Sequence, residues 1–152
     1  MYSIKQSSTS EAETLLQIQK ACIHSDYLLY RDSETSPYTQ SLEELEKDIS
    51  GDSHYTIFEG EKVVGAVVLK TKENRAHIYK MFIDAAYQNT GIGQRIMKEI
   101  FNKYNTYSLW TVYTPFKSYR NHHFYEKLGF VKYGEARESD DLVLFKYRRV
   151  DS

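Results

Sequence analysis

The stretch Ile83-Asp84-Ala85-Ala86-Tyr87-Gln88-Asn89-Thr90-Gly91-Ile92-Gly93-Gln94 joins the end of an apolar strand to the start of a helix through a turn that bears glycine. The first amides of a helix have no partner inside it, and the aligned peptide dipoles add about half a positive charge at that end. Glycine lets an anion close on such a backbone, so the turn has the chemistry of a phosphate site. On these residues alone, a tight turn with no ligand accounts for the pattern equally well. Two phosphate motifs are excluded. A Walker loop needs Gly-Lys-Ser/Thr, whereas Gly93 is followed by Gln94-Arg95. A dinucleotide fingerprint needs a third glycine where Ile96 stands.

The other reactive side chains are sparse. His122-His123 invites a metal reading, but adjacent helix residues point about 100° apart and no Cys/His spacing elsewhere completes a ligand set, so no metal is expected. Cys22 falls on the apolar stripe of the first helix and reads as inert core. As the chain's single cysteine it cannot form an intrachain disulfide, which favours a reducing, cytoplasmic setting.

The elements that must position these groups are legible in the pattern. The 152 residues correspond to one domain, 1–152, with no internal repeat or linker. With 41% hydrophobic and 27% charged residues, the chain is neither collagen-like nor disordered. Twenty basic residues against 21 acidic give a net charge of −1, which argues against nonspecific nucleic-acid binding. No apolar run approaches the ~18–20 residues of a membrane span, and Met1–Gln6 hold no apolar signal segment, so neither a membrane nor secretion is expected.

A strand is expected over Tyr2–Gln6. A helix opens with the capping box Ser10…Glu13, and a polar loop spans His24 to Gln40. A short acidic helix runs from Ser41-Leu42-Glu43-Glu44 to Gly51. Strands at His54–Glu59 and Lys62–Thr71 flank the hairpin turn Gly60-Glu61, and Ala76–Ile83 is a further strand. Ile92, Ile96, Ile100 and Tyr104 mark a helix, Tyr107–Thr114 a strand, and Ser118–Leu128 a helix capped by Gly129. Phe130–Tyr133 and Leu142–Tyr147 are the last strands. The order β-α-α-β-β-β-α-β-α-β-β is α+β: a mixed, mostly antiparallel sheet of seven strands with helices on both faces. The apolar run Leu142-Val143-Leu144-Phe145 needs covering, so the terminal strands are a candidate homodimer interface.

Gln88-x-x-Gly91-x-Gly93 after a strand, followed by Phe124-Tyr125-Glu126-Lys127-Leu128-Gly129-Phe130, resembles the GNAT family of acyl-CoA-dependent N-acetyltransferases, most strongly from Ala76 to Tyr133. The resemblance implies that the fourth strand bulges and splays from the fifth, leaving a gap for the pantetheine arm of acetyl-CoA. The implied cofactor-binding set is Met81, Phe82, Ile83, Gln88, Asn89, Thr90, Gly91, Ile92, Gly93, Gln94, Ser118, Asn121 and Tyr125.

It also implies that Tyr125 is the acid toward the departing thiol: a phenol at pKa ~10 can donate to a thiolate whose conjugate acid lies near ~8.5. Many members carry an asparagine seven residues before this tyrosine. Here that position is Ser118, and Asn121, one helical turn before Tyr125, is expected to help hold the cofactor. His77 stands where the family often has an acid and is the candidate base. The family's acceptor loop corresponds to a segment with Tyr27, Tyr30, Asp32, Glu34 and Tyr38; Tyr30 and Glu34 are the candidate contacts to a cationic amine. The expected activity is acetyl transfer to a primary amine of a small molecule or peptide by direct attack in a ternary complex. The alternative is a non-catalytic CoA-binding module of the same fold.

Overall fold

The computed structural model describes residues 1–30, 40–51, 53–88, 90–138, 140 and 142–150, and for 23–30 the backbone only. Its strands are β1 Tyr2–Gln6, β2 Ser53–Glu59, β3 Lys62–Lys72, β4 Arg75–Ile83, β5 Leu109–Pro115, β6 Val131–Arg137 and β7 Val143–Val150. Its helices are α1 Ala12–Tyr30, α2 Leu42–Gly51, α3 Ile92–Lys103 and α4 Tyr119–Lys127. The seven strands form one sheet in the order β1-β2-β3-β4-β5-β7-β6. β4 and β5 run parallel, and every other described pair is antiparallel. Among the described residues no helix is long and apolar enough to cross a membrane.

Each face of the sheet has its own core. On one, the stripe Ile92, Ile96, Met97, Ile100 and Phe101 of α3 packs with Tyr125 of α4 and Leu128 at that helix's C-cap over Ile78, Trp110 and Val112. Trp110 is fully buried, with Phe101 edge-on at 4.8 Å. On the other, Leu15 and Ile18 of α1 meet Leu45 and Ile49 of α2 over Ala66 and Phe82. Each such side chain contributes about 1.5–3 kcal/mol by leaving water, so both helix layers are held to the sheet.

Several element ends differ from expectation. The first capping box is Ser8…Glu11 rather than Ser10…Glu13, because the Glu11 carboxylate accepts from both Ser8 N (3.0 Å) and the Thr56 hydroxyl of β2 (2.9 Å). α1 continues through residues 24–30, where polarity had suggested a loop; that segment holds no Pro or Gly, and polarity alone does not stop a helix. β6 passes Tyr133 because a bulge between Lys132 and Gly134 absorbs the irregularity. β7 reaches Val150 because its cations lie over rings: Arg149 sits 4.0 Å from the Phe101 centroid and Arg148 5.3 Å from that of Tyr133. β7 also lies between β5 and β6, so the apolar run Val143–Phe145 is flanked by strands of its own sheet and is not a free edge.

Candidate functional site at the fork between β4 and β5

Pairing of β4 with β5 joins Arg75–Ile78 to Leu109–Val112 and then stops. The cause is one extra residue. β3 pairs Leu69 with Ile78 but Val68 with Lys80, which leaves Tyr79 as a bulge. Beyond it β4 follows β3, with Val67 opposite Met81 and Gly65 opposite Ile83, while β5 follows β7 to Pro115. Asp84 N donates to Val64 O of β3 at 2.7 Å. Alternation along the strand therefore turns the peptide groups of Met81 and Ile83 away from β3, into the gap. Gly65 lets β3 hold this arm closely, since a Cβ there would strike the Phe82 carbonyl.

The gap opens into a cleft of about 710 Å³, lined by Met81, Phe82 and Ile83 of β4, by Gln88 and Gly91–Gln94, and by Lys117–Asn121, His123–Tyr125 and Lys127. The strand-to-helix turn is built by local bonds. The Asp84 carboxylate accepts from Ala86 N (3.0 Å), and Thr90 Oγ1 donates to Tyr87 O (2.8 Å). Gly91 takes the left-handed conformation, φ +80°, as the N-cap of α3, and no side chain caps the helix. The first intrahelical bond runs from Arg95 N to Gly91 O (3.2 Å), so the amides of Ile92, Gly93 and Gln94 precede it at the cleft. Gly93 admits the neighbouring helix: a Cβ there would lie 2.7 Å from Phe124 Cε1. Gln94 Nε2 donates to Phe124 O (3.0 Å) and ties the start of α3 to α4.

Tyr125 is fixed by the end of α4. Phe130 N donates to Tyr125 O (3.1 Å) and Gly129 N to Glu126 O (3.1 Å), with Gly129 at φ +94°. These two bonds make a Schellman cap, and its apolar contact is the Phe130 ring edge-on to Tyr125 at 5.5 Å. Tyr125 is 6% exposed and lines the cleft; burial holds its phenol well above the ordinary value. The phenol therefore stays protonated and available as a donor. Asn121 lines the cleft one turn earlier, and so does Ser118, the N-cap residue of α4.

The predicted residues are thus largely gathered in one place: Met81, Phe82, Ile83, Gln88, Gly91, Ile92, Gly93, Gln94, Ser118, Asn121 and Tyr125 all line the cleft. Thr90 is turned to the Tyr87 carbonyl instead. Asn89 and Glu34, and the side chain of Tyr30, lie outside the described residues. His77 sits in the paired half of β4, on the face opposite Ala76 and Ile78. Its Nδ1 is 2.8 Å from the Thr111 hydroxyl, and its ring lies edge-on to Tyr113 at 4.7 Å. Desolvation, then Lys70, lowers its pKa and keeps the imidazole neutral.

The adjacent histidines part company. His122 donates from Nε2 to Pro115 O (2.9 Å) and stacks on Phe145, while His123 lines the cleft. No cluster of three metal-ligating side chains occurs among the described residues.

Cys22 packs against the α1–α2 core, as its place on the stripe implies, but at the edge where that core meets the cleft. It is partly exposed, lines the cleft and donates from Sγ to Ile83 O at 3.0 Å. Gln88 Nε2 donates to the same carbonyl at 2.6 Å. Burial, then Asp84, raises the thiol's pKa, so it remains a thiol and a donor. Sequence reasoning also missed Lys117, Arg120 and Lys127, which bring positive charge to the cleft. Lys117 precedes α4 and Arg120 and Lys127 lie near its two ends, so their spacing carries no sign of a shared patch.

The acetyltransferase (GNAT) domain family matches the chain over residues 11–150. Solved structures share the fold. The ribosomal-protein-S18-alanine N-acetyltransferase of Escherichia coli superposes with a TM-score of 0.80 at 13% identity, over 100% of this chain and 95% of that one. The PaiA N-acetyltransferase of Thermoplasma acidophilum, in complex with coenzyme A, gives 0.77 at 18% identity over 99% of both chains. A GNAT-family acetyltransferase of Streptococcus pneumoniae gives 0.69 at 14% identity over 100% of both. No curated protein sequence matches the chain.

Proposed function

Since this chain belongs to the GNAT acetyltransferase family, we propose that it transfers an acetyl group from acetyl-CoA to a primary amine by direct attack in a ternary complex. The observation that carries this reading is the fork, with unspent peptide groups on one arm and Tyr125 beside them. The donor set suits the cofactor. The free amides of Ile92, Gly93 and Gln94, with Lys117, Arg120 and Lys127 nearby, match a pyrophosphate. Met81 and Ile83 offer strand-like partners to an extended arm bearing amides. Because Gln88 and Cys22 already engage the Ile83 carbonyl, the groups left for that arm are the Ile83 N–H and both groups of Met81.

When bound, acetyl-CoA supplies an acyl group on a thiol that leaves as the amine attacks. Tyr125 donates a hydrogen bond toward the sulfur as negative charge builds there. Its raised pKa favours this donation over complete proton transfer, because a phenolate in that apolar setting is more costly than a thiolate. His77, neutral and held at Nδ1 by Thr111, is the proposed acceptor of the amine's proton. Cys22 keeps its proton and forms no acyl intermediate in this scheme.

The test is a screen of amine acceptors that follows free thiol release from acetyl-CoA. Release dependent on an amine, lost in Tyr125→Phe without loss of CoA affinity, is expected. Binding of acetyl-CoA with no release across the panel would overturn the enzymatic reading and leave a binding module.

A further inference from the structure

The face of the fork opposite Tyr125 carries tyrosines paired with cations. Tyr79, the bulged residue, is 46% exposed, and Tyr113, the first β5 residue past the last paired position, is 42% exposed. Tyr133 of β6 is 42% exposed and continues the row. Each ring has a cation over it: Lys70 Nζ at 4.0 Å from Tyr79, Lys146 Nζ at 5.4 Å from Tyr113, and the Arg148 guanidinium at 5.3 Å from Tyr133. The strand register sets Tyr113 opposite Lys146 and Thr111 opposite Arg148, so these groups share one face. Among the described residues, none of these three cations makes an ion pair. Glu135 of β6 lies on the other face, bonded to Lys132 at 2.8 Å, while Glu138 and Asp140 belong to the β6–β7 turn.

This arrangement discriminates between acceptors. A polycationic amine would seek carboxylates or bare ring faces. Here protein cations already occupy the ring faces, and the incoming ammonium would meet three like charges. An anionic group would find those charges and the phenol hydroxyls together. Resting on the acetyl-transfer reading above, we infer that the acceptor is a small primary amine that carries an anionic group, a carboxylate or phosphonate, directed to Lys146 and Arg148 while its nitrogen enters the fork. In the transfer the nitrogen bonds to the acetyl carbon, the carbon–sulfur bond breaks, the amine loses one proton and the thiolate gains one; no oxidant or reductant is needed. The anionic group stays unchanged and serves only to orient the acceptor.

The experiment measures thiol release from acetyl-CoA at low salt with amino acids and ω-amino acids, the amides of the same compounds, and diamines and polyamines. The acids are expected to exceed their amides by about five- to tenfold in kcat/KM, with the gap closing as salt rises. Lys146→Gln and Arg148→Gln should each narrow that ratio, and Lys146→Glu should reverse it. Turnover with equal rates for acid and amide, or with a preference for polyamines, overturns this inference alone. A thermal shift with acetyl-CoA but no turnover of any amine overturns the enzymatic reading and this inference with it.

Discussion

The two halves of the β4–β5 pair are made from the same two strands and do opposite things. In the closed half, Arg75–Ile78 bond to Leu109–Val112, Ala76, Ile78, Trp110 and Val112 are buried in the core, and His77 is tied to Thr111. In the open half, Met81 and Ile83 turn peptide groups into a cleft and Tyr125 stands beside them. A single bulged residue, Tyr79, separates the two. Each strand bond left unmade forgoes about 0.5–1.5 kcal/mol. The packing of Trp110, Phe101 and Phe130 beneath the closed half offsets that loss. On the proposed reading the binding surface is backbone: the fork leaves strand hydrogen bonds unmade on β4, and those groups are the ones offered to the coenzyme.

The comparison can be broken most severely at Gly91. Gly91→Asp sets a carboxylate beside the amides proposed to hold the phosphate and forces a Cβ onto a left-handed backbone, φ +80°, so like charge and local strain act together against the coenzyme. The stabilisation of about 2.7 kcal/mol expected from CoA at 100 times its dissociation constant should vanish in a thermal-shift assay. Retained stabilisation would move the anion site elsewhere.

Next in size is Tyr125→Phe, which should lower kcat by about 10²–10³-fold, as loss of one hydrogen-bond donor to developing charge does, while calorimetry finds CoA affinity unchanged. Equal turnover would remove the phenol from the chemistry. The closed half should respond in the other currency. Trp110→Ala should cost about 3–5 kcal/mol in denaturant unfolding, with the CoA dissociation constant kept wherever the protein remains folded. A parallel loss of affinity would mean that the halves are not separable.

Two histidines give the smaller effects. Burial, then Lys80, lowers the His54 pKa to about 4. The unfolded chain therefore binds the extra proton first as pH falls. Stability should be full above the unfolded value of about 6.5 and lost between there and about 4, by on the order of 3 kcal/mol, with His54→Gln flattening the profile. His77, also lowered, should give an acid limb in kcat/KM below pH ~6.5 that disappears in His77→Gln. An unchanged limb would exclude it as the base.

Much of the architecture was legible because it rests on local signals: the glycines at Gly60, Gly91 and Gly129 each take a positive φ, and the isoleucine stripe of α3 is buried as its spacing requires. The Leu-Gly-Phe ending of α4 was legible as a cap, and the cap is what places Tyr125. The bulge at Tyr79 carries no signal of its own. Ile78-Tyr79-Lys80-Met81 reads as an uninterrupted strand, and only the resemblance to the family implied a splay. The stripe placed Cys22 against the core but not at the cleft, because a helical stripe says which side faces inward and not where the core ends. The cationic row joins Lys70 of β3 to Lys146 and Arg148 of β7, two strands far apart in sequence that only the sheet order brings onto one face.

The most direct measurement is a crystal structure of the protein with coenzyme A bound. The account predicts the pyrophosphate within hydrogen-bond distance of the Ile92–Gln94 amides, the pantetheine amides bonded to Met81 and the Ile83 N–H, and the sulfur beside the Tyr125 hydroxyl. A coenzyme bound outside the fork, or Tyr79–Ile83 paired with β5 and the cleft closed, would contradict it.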